Sequence, residues 1–277
     1  MKALKLLTCT SMLLAGSALA SGEPHSDWSY YANAYLSSAH SSFAYAGVND
    51  HVTTSDEGSE AIMHLSDTVN QDDLGGGVAV GFRHAMGHDQ YVGFEINQQL
   101  NTSKAELNTS NNLSYTGLGT DDYHTLPLNI DQEFRLKSQL NFFVTYGFEM
   151  THQNWLYVKA GPSVARLKES ALSSIDFFEG DSDAYYTNTS IQTSSSSKHI
   201  RGLGVGLGLQ HQLTDHLSFV AEYDYFYYGK HNISTLSQAF TLTEDNDDED
   251  DIVSTGEVTR KVKVASSAVK LGFSYDF

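Results

Sequence analysis

The chain is poor in cysteine and proline: Cys9 is its single thiol, and only 3 prolines occur in 277 residues. Cys9 lies in an N-terminal leader, so the exported chain carries no cysteine. That excludes a disulfide framework and a thiol-ligated metal site. Cations are also scarce, with 16 Lys+Arg against 34 Asp+Glu and a net charge of −18. Removing Lys2 and Lys5 with the leader leaves 14 against 34, or −20. So acidic a chain repels phosphates, and nucleic acid is not an expected partner. Long segments of 3.6-residue period are missing, as is any apolar run long enough to cross a bilayer as a helix. If such a chain enters a membrane, a closed β-barrel is the remaining route, because lipid cannot satisfy exposed backbone groups.

The leader occupies residues 1–20. Lys2 and Lys5 form its positive start, and Leu6 to Leu14 form a short apolar run broken by Thr8, Cys9, Thr10 and Ser11. Ala18-Leu19-Ala20 supplies the small residues that a signal peptidase reads, so cleavage is expected after Ala20. A lipoprotein signal built on Cys9 fails because almost no apolar segment precedes it. Residues 21–277 are then one domain.

What the chain has in abundance is glycine (22), tyrosine (16) and phenylalanine (14), arranged with period two. The last segment is the clearest. Ala265, Ser267, Val269, Leu271, Phe273, Tyr275 and Phe277 share one face, opposite Ser266, Ala268, Lys270, Gly272, Ser274 and Asp276. The first face suits lipid and the second a polar interior, with aromatics where an interface girdle would lie. Similar alternation runs through Trp28–Leu36, Gly77–Arg83, Val92–Asn97, Phe134–Glu149, Leu156–Lys159, Gly202–Leu209 and Leu217–Tyr225, giving eight strands. In the fourth, Phe134, Leu136, Leu140, Phe142, Val144, Tyr146 and Phe148 oppose Arg135, Lys137, Gln139, Asn141 and Glu149.

Three connections are tight: Met86–Asp89, Thr151–Asn154 and Thr214–His216. Four are long and polar, at about 38–73, 101–129, 170–198 and 232–259. They alternate strictly from long to tight. Outer-membrane barrels have this arrangement, with short periplasmic turns, long extracellular loops and an even number of antiparallel strands. The expected fold is therefore an all-β, eight-stranded antiparallel up-and-down transmembrane barrel with four long extracellular loops. A soluble β-sandwich would also alternate, but its hidden faces would not repeatedly carry charge beside glycine.

These strand phases point Arg83, Glu95, Arg135, Lys137, Glu149, Lys159, Glu222, Asp224 and Lys270 into the lumen. Eight strands leave room for side chains or one small ligand. Near-balanced charges favour a salt-bridged plug over a gated pore or proton path, since buried charges persist by pairing. Gly202, Gly204, Gly206 and Gly208 lack the spacing and following helix of a dinucleotide loop. They are expected to make room for bulky neighbours such as Tyr31 or Phe143. The acidic run from Glu244 to Asp251 lacks the central glycine and terminal Glu of a calcium loop, and reads as a solvated loop tip. The 12 histidines are scattered, so no metal or cofactor is expected. His40 and Ser42 could belong to a nucleophilic set, but no acid or oxyanion donor can be assigned from sequence.

Three segments carry a family resemblance: Gly76-Gly77-Val78-Ala79-Val80-Gly81-Phe82-Arg83, Leu217-Ser218-Phe219-Val220-Ala221-Glu222-Tyr223-Asp224-Tyr225, and Val269-Lys270-Leu271-Gly272-Phe273-Ser274-Tyr275-Asp276-Phe277. In their order along the chain they resemble the opacity-type, outer-membrane protein A-like surface barrels. The resemblance covers the strands and not the loops. It implies an eight-stranded barrel, barrel assembly machinery as a partner, and a terminal aromatic assembly signal, here Tyr275 and Phe277. The chain departs from it in its very long loops and in having no peptidoglycan-binding domain after Phe277. The implied function is non-enzymatic: a surface antigen, adhesin or envelope stabiliser in contact with outer-membrane lipid. Tyr115, Tyr123, Phe177, Phe178, Tyr185, Tyr186 and Phe240 stand among small polar loop residues. That mixture suits a host-cell or extracellular ligand, although merely solvated, variable loops share the composition. A narrow pore and a lipid-modifying enzyme are the alternatives.

Overall fold

In the computed structural model the described residues are 28–53, 63–87, 89–100, 105–116, 123–175, 192–233, 236–242 and 252–277. The signal segment, its cleavage site, Phe177, Phe178, Tyr185, Tyr186 and the acidic run 244–251 lie outside them. The described elements are all strands: β1 (Trp28–Thr53), β2 (Met63–Ala85), β3 (Gln90–Leu100), β4 (Ala105–Thr116), β5 (Tyr123–Thr151), β6 (Asn154–Ile175), β7 (Gln192–Gln212), β8 (Leu217–Asn232), β9 (Leu236–Leu242) and β10 (Ile252–Asp276).

Each strand pairs antiparallel with its neighbours in the order β1-β2-β3-β5-β6-β7-β8-β10, and β10 returns to β1. The sheet is thus a closed ring. Where every strand pairs on both sides, closure leaves no backbone edge exposed, which is what a lipid environment demands; at the far end β4 and β9 pair on one side only. β3 and β4 lie end to end along β5, as β8 and β9 do along β10, so ten elements trace eight strand paths. Tight connections join β2 to β3, β5 to β6 and β7 to β8, which defines a turn end of the ring.

At the far end the structure corrects the expected loops. The stretch 38–73 is mostly ladder: β1 runs unbroken to Thr53, and β2 begins at Met63. Likewise β4 and β5 fill much of 101–129, β6 and β7 enter 170–198 from both sides, and β9 and β10 occupy much of 232–259. A strand pair needs only its backbone hydrogen bonds. The polar Ser, Thr and Asn of these stretches remove the apolar face without interrupting the ladder. β5 reaches 29 residues, far beyond the 9–11 that cross a bilayer as a tilted strand. Tyr115, Tyr123 and Phe240 therefore stand on strands β4, β5 and β9 rather than in loops.

The polarity is inverted relative to a soluble protein. Leu36 is 76% exposed, Leu203 68% and Leu271 53%, all on the outer face. Trp28, Tyr30, Phe148, Phe273 and Tyr275 gather on that face near the turn end, as an interfacial girdle would. The charged Lys159, Asp224 and Lys270 are meanwhile buried inside the ring. A sandwich is excluded by ring closure, and the exposed apolar band has the character of a lipid-facing surface.

Candidate functional site

The lumen is filled in layers. Nearest the turn end, Arg83 donates to Asp276 Oδ1 at 2.8 Å and Gln210 Oε1 at 3.1 Å, and its guanidinium lies 4.4 Å from the Tyr31 ring centroid. Above it sits a five-charge centre. Lys159 Nζ is 2.6 Å from Glu222 Oε2, 3.2 Å from Asp224 Oδ1 and 3.4 Å from Glu95 Oε1. Lys270 Nζ is 2.6 Å from Asp224 Oδ2. Tyr157 donates to Glu222 at 2.5 Å and Tyr31 to Glu95 at 3.1 Å. Each carboxylate therefore meets a cation directly, which is the condition for charge to persist in a dry interior.

A neutral polar layer follows. Tyr35 donates to Asn97 at 2.7 Å, and Ser163 donates to Asn141 at 2.5 Å. Beyond it the interior turns apolar: Phe43, Phe134, Phe143, Phe226, Val262 and Val264 are nearly or wholly buried together. Phe43 and Phe134 stack with centroids 5.5 Å apart. On the far side of this cluster, Arg260 Nη2 meets Glu169 Oε1 at 2.8 Å, both fully buried.

Six of the nine residues expected in the lumen, Arg83, Glu95, Lys159, Glu222, Asp224 and Lys270, are brought together there. Glu149 stands at the turn-end rim, 3.5 Å from His152. Arg135 and Lys137 are a correction. Both face outward, while Phe134 and Leu136 point in. The cause is a β-bulge between Leu136 and Gln139, which shifts the register of β5 on β6. One extra residue exchanges the two faces of a strand. Arg135 instead donates to Glu133 on its own strand.

Arg260 and Glu169 were missed because the strands read from sequence, Leu156–Lys159 and Ala265–Phe277, stopped short of them, whereas β6 and β10 run past both. The signal was parity. Arg260 lies on the same inner face of β10 as Lys270, and Glu169 on the same inner face of β6 as Lys159.

The glycines of β7 line the lumen against large side chains. A Cβ on Gly204 would lie 2.8 Å from Phe226 and 3.0 Å from Phe143. One on Gly206 would overlap Asp224 and Lys159, and one on Gly208 would overlap Tyr157. Phe143 is thus a neighbour of the row, whereas Tyr31 packs against Gly81.

His40 faces outward on β1, directly opposite Asp72 of β2, with Nδ1 2.7 Å from Asp72 Oδ1. Ser42 follows two residues on, and no hydrogen bond joins it to His40 among the described residues. Among those residues no group of three or more His, Cys, Asp or Glu could hold a metal ion. Tyr275 is exposed on the outer face, and Phe277 ends the chain with its N–H donated to the Tyr30 carbonyl at 3.0 Å.

No protein-family model matches the chain. An uncharacterized protein of Coxiella burnetii is 25% identical over 235 residues, spanning 84% of this chain and 83% of that one. Among solved structures, the attachment invasion locus protein Ail of Yersinia pestis aligns over 87% of this chain and 98% of its own, at 14% identity and a TM-score of 0.34. The Escherichia coli outer-membrane protease OmpT aligns over 90% and 97%, at 10% identity and a TM-score of 0.36. At such values the reading of this chain rests on its own geometry.

Proposed function

We propose that the chain is a bacterial outer-membrane surface barrel with a closed lumen, a rigid scaffold that carries its extended strand pairs beyond the membrane. The observation that carries this reading is the inverted polarity of a closed ring: leucines exposed outside, paired charges and phenylalanines buried inside. The expected leader and the tight-turn pattern support export and a periplasmic turn end. The far-end strand pairs are then the part available to an extracellular ligand, in an adhesion or recognition role. Tyr275 and Phe277, at the final strand's turn end, suit a signal read by the assembly machinery.

The test is conductance of the refolded, leader-less protein in a planar bilayer. A mobility shift between boiled and unboiled samples first establishes folding. Verified barrels are expected to be silent, and steady openings would replace the scaffold by a pore. Shortening the β1–β2 pair beyond Ala46 and Ser66 should abolish binding to a responsive cell surface while the mobility shift persists. Unchanged binding removes that pair from the recognition role.

A second reading, a lipid-directed hydrolase, draws on one observation. Asp72 holds His40 through Nδ1, leaving Nε2 free to take a proton from a nucleophile such as Ser42 on the same face. It predicts altered lipid A on overexpression, restored to normal by Ser42→Ala. Under the scaffold reading the lipid A mass spectrum is unchanged.

A further inference from the structure

The outer face carries a second pattern, independent of the lumen. On five successive strand paths the apolar run ends at cations. On β10, Phe273, Leu271 and Val269 lead through Ser267 and Ala265 to Lys263 and Lys261; on β8, Tyr223, Tyr225 and Tyr227 lead to Lys230. On β7, Leu207, Val205 and Leu203 lead to Arg201. On β6, Val158 and Val164 lead to Arg166 and Lys168, and on β5 the bulge turns Lys137 and Arg135 out beyond Leu140. Half of the chain's 16 Lys and Arg thus form one belt, in a protein of net charge −18.

Within the belt, cations face cations. Lys230 pairs directly across the ladder with Lys263, and Arg135 with Lys168. Like charges directly opposite one another destabilise a sheet. Apart from Arg135 with Glu133, none of the eight makes an ion pair among the described residues. The opposite arc differs. Across the ladder from Lys263 and Lys261, β1 presents Ala44 and Ala46, β2 presents Thr68 opposite Ala44, and β3 ends at Leu100 opposite Ser138.

We propose that this one-sided belt on β5, β6, β7, β8 and β10 binds the phosphate groups of an anionic lipid in the leaflet at the far end of the barrel. A phosphate between Lys230 and Lys263 turns that repulsive pair into a charge-assisted clamp. The acyl chains then lie on the apolar run directly beneath. The surplus of carboxylates elsewhere keeps free polyanions away, so the site selects phosphate delivered by the membrane rather than from solution. The inference rests on the apolar band being embedded in lipid.

The experiment uses the refolded full-length mature chain in phosphatidylcholine nanodiscs containing lipid A, its counterpart lacking one phosphate, or phosphatidylglycerol. Retained lipid is counted by native mass spectrometry. Wild type should retain lipid A above its less phosphorylated counterpart. Each cation near an anionic surface strengthens attachment about fivefold. Arg166→Gln/Lys168→Gln/Arg201→Gln should therefore cut retention at least tenfold, with the mobility shift of the folded barrel intact. Thr68→Ala, on the opposite arc, should leave retention unchanged. Equal retention by the triple variant, no dependence on phosphate number, or displacement by millimolar inorganic phosphate would each overturn the proposal. Failure to enter nanodiscs at all would instead overturn the membrane-barrel reading on which it rests.

Discussion

Replacing Lys159 by Met should destabilise the barrel by about 4 kcal/mol, because the lysine is the shared counter-charge of the buried centre. Its ammonium lies within 3.4 Å of three carboxylates, and its side chain is 0% exposed. Breaking one buried pair costs about 3–5 kcal/mol, since the surviving charge is left desolvated and alone. Here the loss is partly offset: Asp224 retains Lys270 at 2.6 Å, and Glu222 retains the Tyr157 hydroxyl at 2.5 Å. Glu95 keeps only neutral donors. At about 1.4 kcal/mol per factor of ten, the folding equilibrium should fall nearly a thousandfold. The assay is denaturant unfolding of the protein in lipid vesicles, followed by the mobility of the folded form. Lys159→Met/Glu95→Gln/Glu222→Gln leaves Asp224 and Lys270 as a balanced pair and should recover at least half the loss. Lys137→Met, on the outer face, should stay within about 0.5 kcal/mol of wild type. The reasoning fails if Lys159→Met matches Lys137→Met, or if the triple variant is no more stable than the single one.

Gly206→Val should lower stability by about 1–3 kcal/mol in the same titration, because its Cβ meets the Asp224 and Lys159 side chains; an unchanged midpoint would show that the centre has slack. Leu271→Arg, half exposed in the middle of the outer band, should cost about 2–4 kcal/mol if that face meets hydrocarbon. A neutral result there would contradict lipid contact. Phe277→Ala should reduce the amount of folded protein assembled in cells while leaving refolding from urea into vesicles intact. Equal losses in both settings would make Phe277 a stability residue rather than an assembly signal.

Much of the barrel was legible because its outer band is apolar while the facing interior is polar. Where the outer face meets hydrocarbon it must be apolar, so period two stands out in Trp28–Leu36, Leu217–Tyr225 and Ala265–Phe277, and the tight turns mark one end. Beyond the apolar band that pattern disappears while the backbone ladder continues, so β1 past Ser38 and β10 before Thr259 read as loop although both are strand. Parity hid the rest. Arg135, Lys137, Gln139 and Asn141 keep one polar phase along β5 even though the backbone reverses between Leu136 and Gln139. A cation suits a headgroup level as well as a lumen, so composition gave no sign of the reversal. The Arg260–Glu169 pair was lost for the same reason as the loops: its strands were cut short before reaching it.

The order of the interior layers separates closure from charge. An aqueous pore needs polar lining along its whole length, yet here the charges occupy one level and phenylalanines another. Phe43, Phe134, Phe143 and Phe226 fill the ring between the Lys159 centre and the Arg260–Glu169 pair. Water crossing that slab would lose its hydrogen bonds without finding replacements, so apolar packing sets the barrier. The ion pairs instead hold the strands of the lower half at fixed spacing, because each joins residues of different strands, such as Lys159 of β6 with Glu222 of β8. Neutralising the centre should therefore cost stability without opening a current, whereas Phe43→Ser/Phe134→Ser should admit ions while Lys159 remains paired. Conductance from the lysine variant, with the phenylalanine variant silent, would invert the assignment and make the charged centre the gate.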